Sequence, residues 1–194
     1  LNIPNSVTQI EYGAFMSSSL KSITLPTNIT SIGQAWFEDC YSLNSISIPN
    51  NVTSIEQKAF NRCKSLESIT LQNNVNTIQK YAFGDCISLS SITLPDKVRI
   101  IVGGAFCGCT NIKEIVSLNT TPPTIYEDTF YGVSRTECVV KVPSEAVEAY
   151  KAADGWKNFW NIVSISGDDP VIQQCETPII KLIDGEIVVA STTE

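Results

Sequence analysis

Apolar residues fall along this chain in a pattern that returns every 23 residues. Leu20, Ile23 and Leu25 come back as Leu43, Ile46 and Ile48, then as Leu66, Ile69 and Leu71, then as Leu89, Ile92 and Leu94. Laid over one another, LKSITLPTNITSIGQAWFEDCYS (20–42), LNSISIPNNVTSIEQKAFNRCKS (43–65), LESITLQNNVNTIQKYAFGDCIS (66–88) and LSSITLPDKVRIIVGGAFCGCTN (89–111) are copies of one unit. NIPNSVTQIEYGAFMSSS is a shortened copy at the start. A fixed period of this length means a solenoid, in which each coil cannot bury its apolar side alone and so stacks on its neighbours.

Within each opening stretch the inward Ile and Leu lie two apart, the period of a strand with alternating faces. The pattern predicts a short strand paired in parallel with its copy one coil away. Pro26, Pro49, Gln72 and Pro95 follow it, and proline, lacking a backbone donor, suits a strand end. A second extended piece is predicted at Val52 to Ile55 and its copies, then a helical turn that presents Phe60 inward beside Ala59. Phe15, Phe37, Phe60, Phe83, Phe106 and Phe130 are expected to form one stacked column. Trp36 stands where the other coils have Ala.

The period breaks at both ends. The first copy is one residue short between Phe15 and Leu20, and the last has one extra before Ile125 and Phe130. Solenoids end irregularly where a last coil must be closed. The closing element reads as a strand through Val139, Val140 and Val142, then a helix N-capped by Ser144, with Glu145 and Glu148 in its favourable first turns. Asp154-Gly155 stops that helix, and Trp156, Phe159, Trp160 and Ile162 follow as an apolar lid at helical spacing. The chain thus divides into a repeat array of about six coils over 1–137, truncated at its start, and a cap strand and helix over 138–166. A linker and the start of a β-rich domain occupy 167–194, where Ile179 to Ile183, the turn Asp184-Gly185 and Ile187 to Ala190 read as a hairpin. We expect a piece of a longer protein.

Charge narrows the partners. Residues 1–143 hold 10 Lys or Arg against 11 Asp or Glu, and 144–194 hold 3 against 9, so most of the net charge of −7 belongs to the cap and tail. A near-neutral array argues against nucleic acid, which asks for a basic stripe, and against an anionic membrane surface. No apolar run is long enough to span a bilayer.

Cys40, Cys63, Cys86 and Cys109 fall at one place in consecutive coils. Stacking puts like positions about 4.8 Å apart, within reach of a disulfide, but a ladder of buried thiols is the reading we favour, because free Cys is among the most buried residue types. Ser17 or Ser18 takes that place in the first copy and Val133 in the last. With no histidine in the chain, the commonest general base and metal ligand is missing. No phosphate loop or nucleophile elbow is present. The reading is a non-enzymatic binding surface, with no cofactor or metal.

Candidate contact residues are of two kinds. Ser22 and Thr24, Ser45 and Ser47, Ser68 and Thr70, and Ser91 and Thr93 form two outward columns of hydroxyls, which either hydrogen-bond a partner or serve only as good strand formers. Trp36, Arg62 and Tyr81 break the repeat. The two aromatics either anchor a partner or pack between coils. As an anchor, Trp36→Ala would lower affinity and leave thermal stability alone. Asn28, Asn51 and Asn119 head N-x-[ST] triplets, which permit glycosylation in a eukaryotic secretory setting.

The Leu-Pro or Ile-Pro step, the Ala-Phe pair and the Cys three residues after Phe, repeated at fixed spacing over residues 1 to about 137, resemble the BspA-like leucine-rich repeats of bacterial surface proteins. PSEAVEAYKAADGWKNFWNI is similar to the terminal cap of such arrays. The resemblance implies an α/β solenoid of 23-residue coils, right-handed, with a parallel β-sheet on one face, short helical or 3-10 turns on the other, and a C-terminal helical cap. It implies an extracellular or cell-surface bacterial protein that adheres to host extracellular matrix proteins or to other cells. The alternatives are a passive spacer and an accessory polysaccharide-binding module of a larger surface protein.

Overall fold

The computed structural model describes residues 1–165, 179–183 and 186–190. The repeat array is a solenoid with two parallel sheets along its length. The second extended piece of each coil forms β1 (Ser31–Ile32), β2 (Ser54–Ile55), β3 (Thr77–Ile78), β5 (Ile100–Ile101) and β7 (Thr124–Ile125), joined in that order. The first piece forms β4 (Ser91–Leu94) and β6 (Glu114–Ser117), which continue into β8 (Val139–Val142) and β9 (Asn161–Ser164). In the earlier coils it is reduced to single parallel bridges, Asn2 to Thr24 to Ser47 to Thr70 to Thr93. Registers carry the repeat: Ser31 faces Ser54, Ser54 faces Thr77 and Thr77 faces Ile100.

One continuous core runs between the sheets. The Phe rings of successive coils stack nearly parallel, with centroids 5.2, 5.3, 5.3, 5.1 and 5.2 Å apart from Phe15 through Phe37, Phe60, Phe83 and Phe106 to Phe130. The Phe-bearing segment is a run of hydrogen-bonded β-turns and not a continuous helix. Ala59, Asn61 and Cys63 donate three residues back, to Glu56, Lys58 and Phe60, while Lys58, Phe60 and Arg62 between them donate to Lys80, Ala82 and Gly84 of the next coil. A helix would direct every amide within its own segment; here alternate amides face the neighbouring coil. This geometry needs left-handed backbone two residues before and two after the Phe in each coil from Phe15 to Phe106, and at Phe130 only two residues after, at Gly132. Lys58 and Arg62 have φ of 59° and 61°, and Gly104 and Gly108 take the same places at 71° and 77°.

The four column cysteines are buried free thiols. Cys40, Cys63, Cys86 and Cys109 donate to the carbonyls of Phe15, Phe37, Phe60 and Phe83, one coil back, at 3.0, 3.1, 3.1 and 2.9 Å. Ser18, not Ser17, continues the column, 3.3 Å from the Cys40 sulfur. Burial pushes the Cys63 and Cys86 thiols well above the ordinary thiol range.

At the C-terminal end the cap extends the first sheet and seals the core. A 3-10 turn at Ser144–Ala146 leads into α1 (Val147–Ala152), a second covers Trp156–Asn158, and β9 pairs in parallel with β8. Trp156 and Phe159 close over Phe130, each with ring centroids 5.7 Å from it. The Trp156 indole donates to Pro123 O at 2.8 Å, and the Tyr150 hydroxyl lies 2.7 Å from Ser117 Oγ and 3.0 Å from Asn119 O.

Three expectations for this end are corrected. The lid is not helical throughout, since Ile162 lies in β9. Trp160 is 78% exposed and takes no part in sealing, because the strand that begins after it turns its ring outward. Ser144 makes no capping bond; its hydroxyl goes to Glu145 Oε2 at 3.2 Å, and Pro143 precedes the 3-10 turn. Farther on, β10 (Ile179–Ile183) and β11 (Glu186–Ala190) pair antiparallel, as the hairpin reading requires. Its turn and the linker at 166–178 lie outside the described residues.

Candidate interaction surface

The hydroxyl columns stand on the outer face of the first sheet. Ser22, Thr24, Ser45, Ser47, Ser68, Thr70 and Thr93 are exposed and Ser91 is half-buried. The register carries both columns beyond the four full copies, where the chemistry changes. Ser91 leads to Glu114 and Val139, and Thr93 to Val116, Lys141 and Val163. Lys141 Nζ pairs with Glu114 Oε2 at 2.6 Å, so the hydroxyl strip gives way to a mixed apolar and ionic patch towards the cap.

Arg62 belongs to a charge network between two coils. Its Nε and Nη2 lie 2.7 and 2.8 Å from the two Asp39 carboxylate oxygens, and Tyr41 OH donates to the same carboxylate at 2.8 Å. The hydrogen bond with Asp39 holds the guanidinium above its ordinary pKa. Beside it, buried Glu38 accepts from Asn61 Nδ2 at 3.0 Å and pairs with Lys58 Nζ at 3.1 Å. Arg62 is therefore held in place by its own chain while keeping about half its side chain in solvent.

The two aromatics differ from the picture of free anchors. Trp36 is 5% exposed and packs edge-on against Phe15 and Phe37, with centroids 6.5 Å away in each case. Gly33 makes room for it: a Cβ there would sit 2.2 Å from Trp36 Nε1. Tyr81 is half-buried, and its ring covers Gly104, where a Cβ would approach Cε1 to 2.4 Å. Packing between coils thus accounts for most of both side chains.

Four exposed aromatics escaped the sequence reading, Tyr12, Tyr41, Tyr126 and Tyr131, and a fifth, Trp160, was read as part of the lid. A signal for two of them lay in the alignment. Tyr126 falls where other coils have Glu56 and Gln79, and Tyr41 where they have Lys64, places that a charged or polar residue marks as outward. The triplet asparagines are structural. Asn28 and Asn51 donate to main-chain carbonyls of the preceding coil, Asn74 continues the ladder to Asn50 O, and Asn119 is buried, donating to Val98 O and accepting from Thr121 N–H.

A family scan matches the BspA type leucine-rich repeat region in 6 copies, over residues 1–113 and 76–153. Among solved structures the chain is similar to a leucine-rich repeat protein of T. pallidum, with a TM-score of 0.56 and 24% identity, over 81% of this chain and 73% of that one. It is also similar to a leucine-rich repeat protein of Bacteroides ovatus, with a TM-score of 0.52 and 23% identity, over 76% of this chain and 48% of that one. A leucine-rich cell surface protein of Faecalibacterium prausnitzii matches with a TM-score of 0.49 and 24% identity, over 75% and 55%. At these identities the likeness speaks to the fold. No curated protein matches.

Proposed function

This chain belongs to the BspA-type leucine-rich repeat family, and we propose on that premise that it is a protein-interaction module, displayed at a bacterial cell surface or secreted, that adheres to host proteins or to other cells. The observation that carries the reading is the distribution of exposed aromatics. Tyr12, Tyr41, Tyr126, Tyr131 and Trp160 lie outward at unlike places in the repeat. Packing demands the same residue at the same place in every coil, so side chains that are exposed, aromatic and non-repeating answer to something outside the core. Among the described residues no helix is long and apolar enough to cross a membrane. The absence of histidine and a core filled by its own rings support a surface in preference to a catalytic pocket.

A binding screen of the purified chain against immobilised extracellular-matrix proteins and a glycan array at physiological salt tests the proposal. Saturable protein binding that weakens when Tyr131 or Tyr41 is replaced by Ala establishes the module as an adhesin. Binding confined to glycans replaces that reading with the polysaccharide one, and silence on both panels leaves a spacer.

A further inference from the structure

The first two coils are joined differently from the rest. Later in the array the Thr53, Asn76, Arg99 and Thr124 amides donate to Thr30, Thr53, Asn76 and Arg99, one coil back. The Glu56, Gln79 and Val102 amides likewise donate to Ile32, Ile55 and Ile78. In the last coil the Tyr126 amide turns instead to Thr129 Oγ1 at 2.8 Å. For Thr30 and Gly33 the corresponding bonds to the segment Thr8 to Ile10 are missing among the described residues, and β1 is an edge of its five-stranded sheet. The opening is local. The same two coils remain joined by Ile3 N–H to Thr24 O at 2.9 Å on the first sheet, and by the Gly13, Phe15 and Ser17 amides at the turns.

Trp36 supplies the cause. It holds the slot that Ala59, Ala82 and Ala105 fill later, and its indole lies over the bare Gly33. The result is a furrow of about 210 Å³ with Thr8, Gln9 and Ile10 on one wall, Thr30 and Ser31 on the other, and Trp36 at its base. Trp36 is 5% exposed, and its Nε1, which meets no acceptor among the described residues, is not sealed in the core but opens on the furrow. Trp156, by contrast, donates to Pro123 O.

We propose that this furrow receives the main chain of an extended polypeptide segment from a protein partner, whose carbonyl oxygens accept from Thr30 N–H and Trp36 Nε1–H. The choice of occupant follows from the molecule itself, because at the later coil junctions the equivalent amides are met by main chain. Addition of an extended segment to unpaired groups at a sheet edge is an established recognition mode. The assignment rests on the reading of the array as a protein-interaction module and locates one contact of that module.

Two measurements on the whole chain decide it. Amide hydrogen exchange at Thr30 is expected to run at least about tenfold faster than at Thr53, whose equivalent bond is made. Equal protection overturns the proposal. In ¹H–¹⁵N spectra, titration with a blocked Thr-Val-Thr-Val peptide should shift the Thr30 amide and the Trp36 indole saturably while leaving the Trp156 indole in place. Trp36→Phe keeps ring bulk but removes the N–H, and should weaken the response; if that variant does not fold, the exchange and titration of the unaltered chain still decide. A saturable response to N-acetylglucosamine alone, or no response of these groups to the peptide, overturns it. Failure here beside a positive matrix-protein screen moves the contact elsewhere on the array, whereas failure of the screen beside a positive titration removes the proposed biological partner class but not the furrow.

Discussion

Cys63 has its thiol buried and directed at the Phe37 carbonyl, which removes it from reaction twice over: the reagent cannot reach it, and its elevated pKa withholds the thiolate. Cys40, Cys86 and Cys109 share the burial and the bond. A thiol reagent at neutral pH should therefore label the half-buried Cys107 in the native chain and reach the four column residues only after unfolding, as mass spectrometry of labelled peptides would show. Labelling of the column at the rate of Cys107 would mean that the coils open readily. Trp36 is a second residue whose neighbours decide its part. With most of its surface inside, Trp36→Ala should lower unfolding free energy by about 3 kcal/mol, measured by chemical denaturation, in place of the unchanged stability expected of a free anchor. The column of thiols was legible from spacing because the same residue recurs in the same place. The burial of Trp36 was not, because it depends on Gly33 three residues earlier, and one departure from a repeat acquires meaning only when paired with the departure that accommodates it.

At the scale of the element, period two and the proline step sufficed to place both lines of strands, since alternation survives even where strands are two residues long. The turns beneath the Phe column were less legible. Their conformation is set by amides shared between coils, and composition within a coil does not reveal which amides turn outward. The left-handed places flanking Phe15 through Phe106 illustrate this. Gly occupies some of them, but Ala35, Lys58 and Tyr81 stand at the same place with φ of 55°, 59° and 54°. A non-glycine residue there costs on the order of 1 kcal/mol. Ser17, at φ 57° and exposed, occupies the place held by Gly108 and Gly132. Ser17→Gly should accordingly raise stability by up to about 1 kcal/mol, read as a small upward shift of the thermal midpoint. A fall would show that the gain in unfolded-state entropy outweighs the relief of strain. The stacked Phe rings present the opposite case: Phe60 is fully buried between two like rings, and Phe60→Ala should remove about 3–5 kcal/mol.

For the whole molecule, stability passes from coil to coil through neighbouring interfaces, and the seal at the C-terminal end governs how unfolding can begin there. Tyr150 is central to that seal. It is fully buried, bonded to Ser117 and Asn119 O, and packed at 5.1 Å against Trp156, which in turn covers Phe130. Burial pushes its phenol up to about 12, with the Ser117 bond acting in the opposite direction. Because the folded state holds this proton more tightly than the unfolded chain, whose phenol titrates near 10, the contribution is present in full below about pH 10 and is lost as pH rises towards 12. Its size is on the order of 3 kcal/mol. Tyr150→Phe removes the titration together with the hydrogen bonds. It should be less stable than the parent by about 1–3 kcal/mol at neutral pH, yet lose less stability between about pH 9 and pH 11.5. Denaturant unfolding of the two proteins across that range gives the difference directly, and thiols and lysines that titrate in both cancel from it. Parallel pH curves would place the alkaline weakness elsewhere and leave Tyr150 as a packing residue. A converging pair would make the cap the point at which raised pH opens the array, with the Phe column losing its cover first.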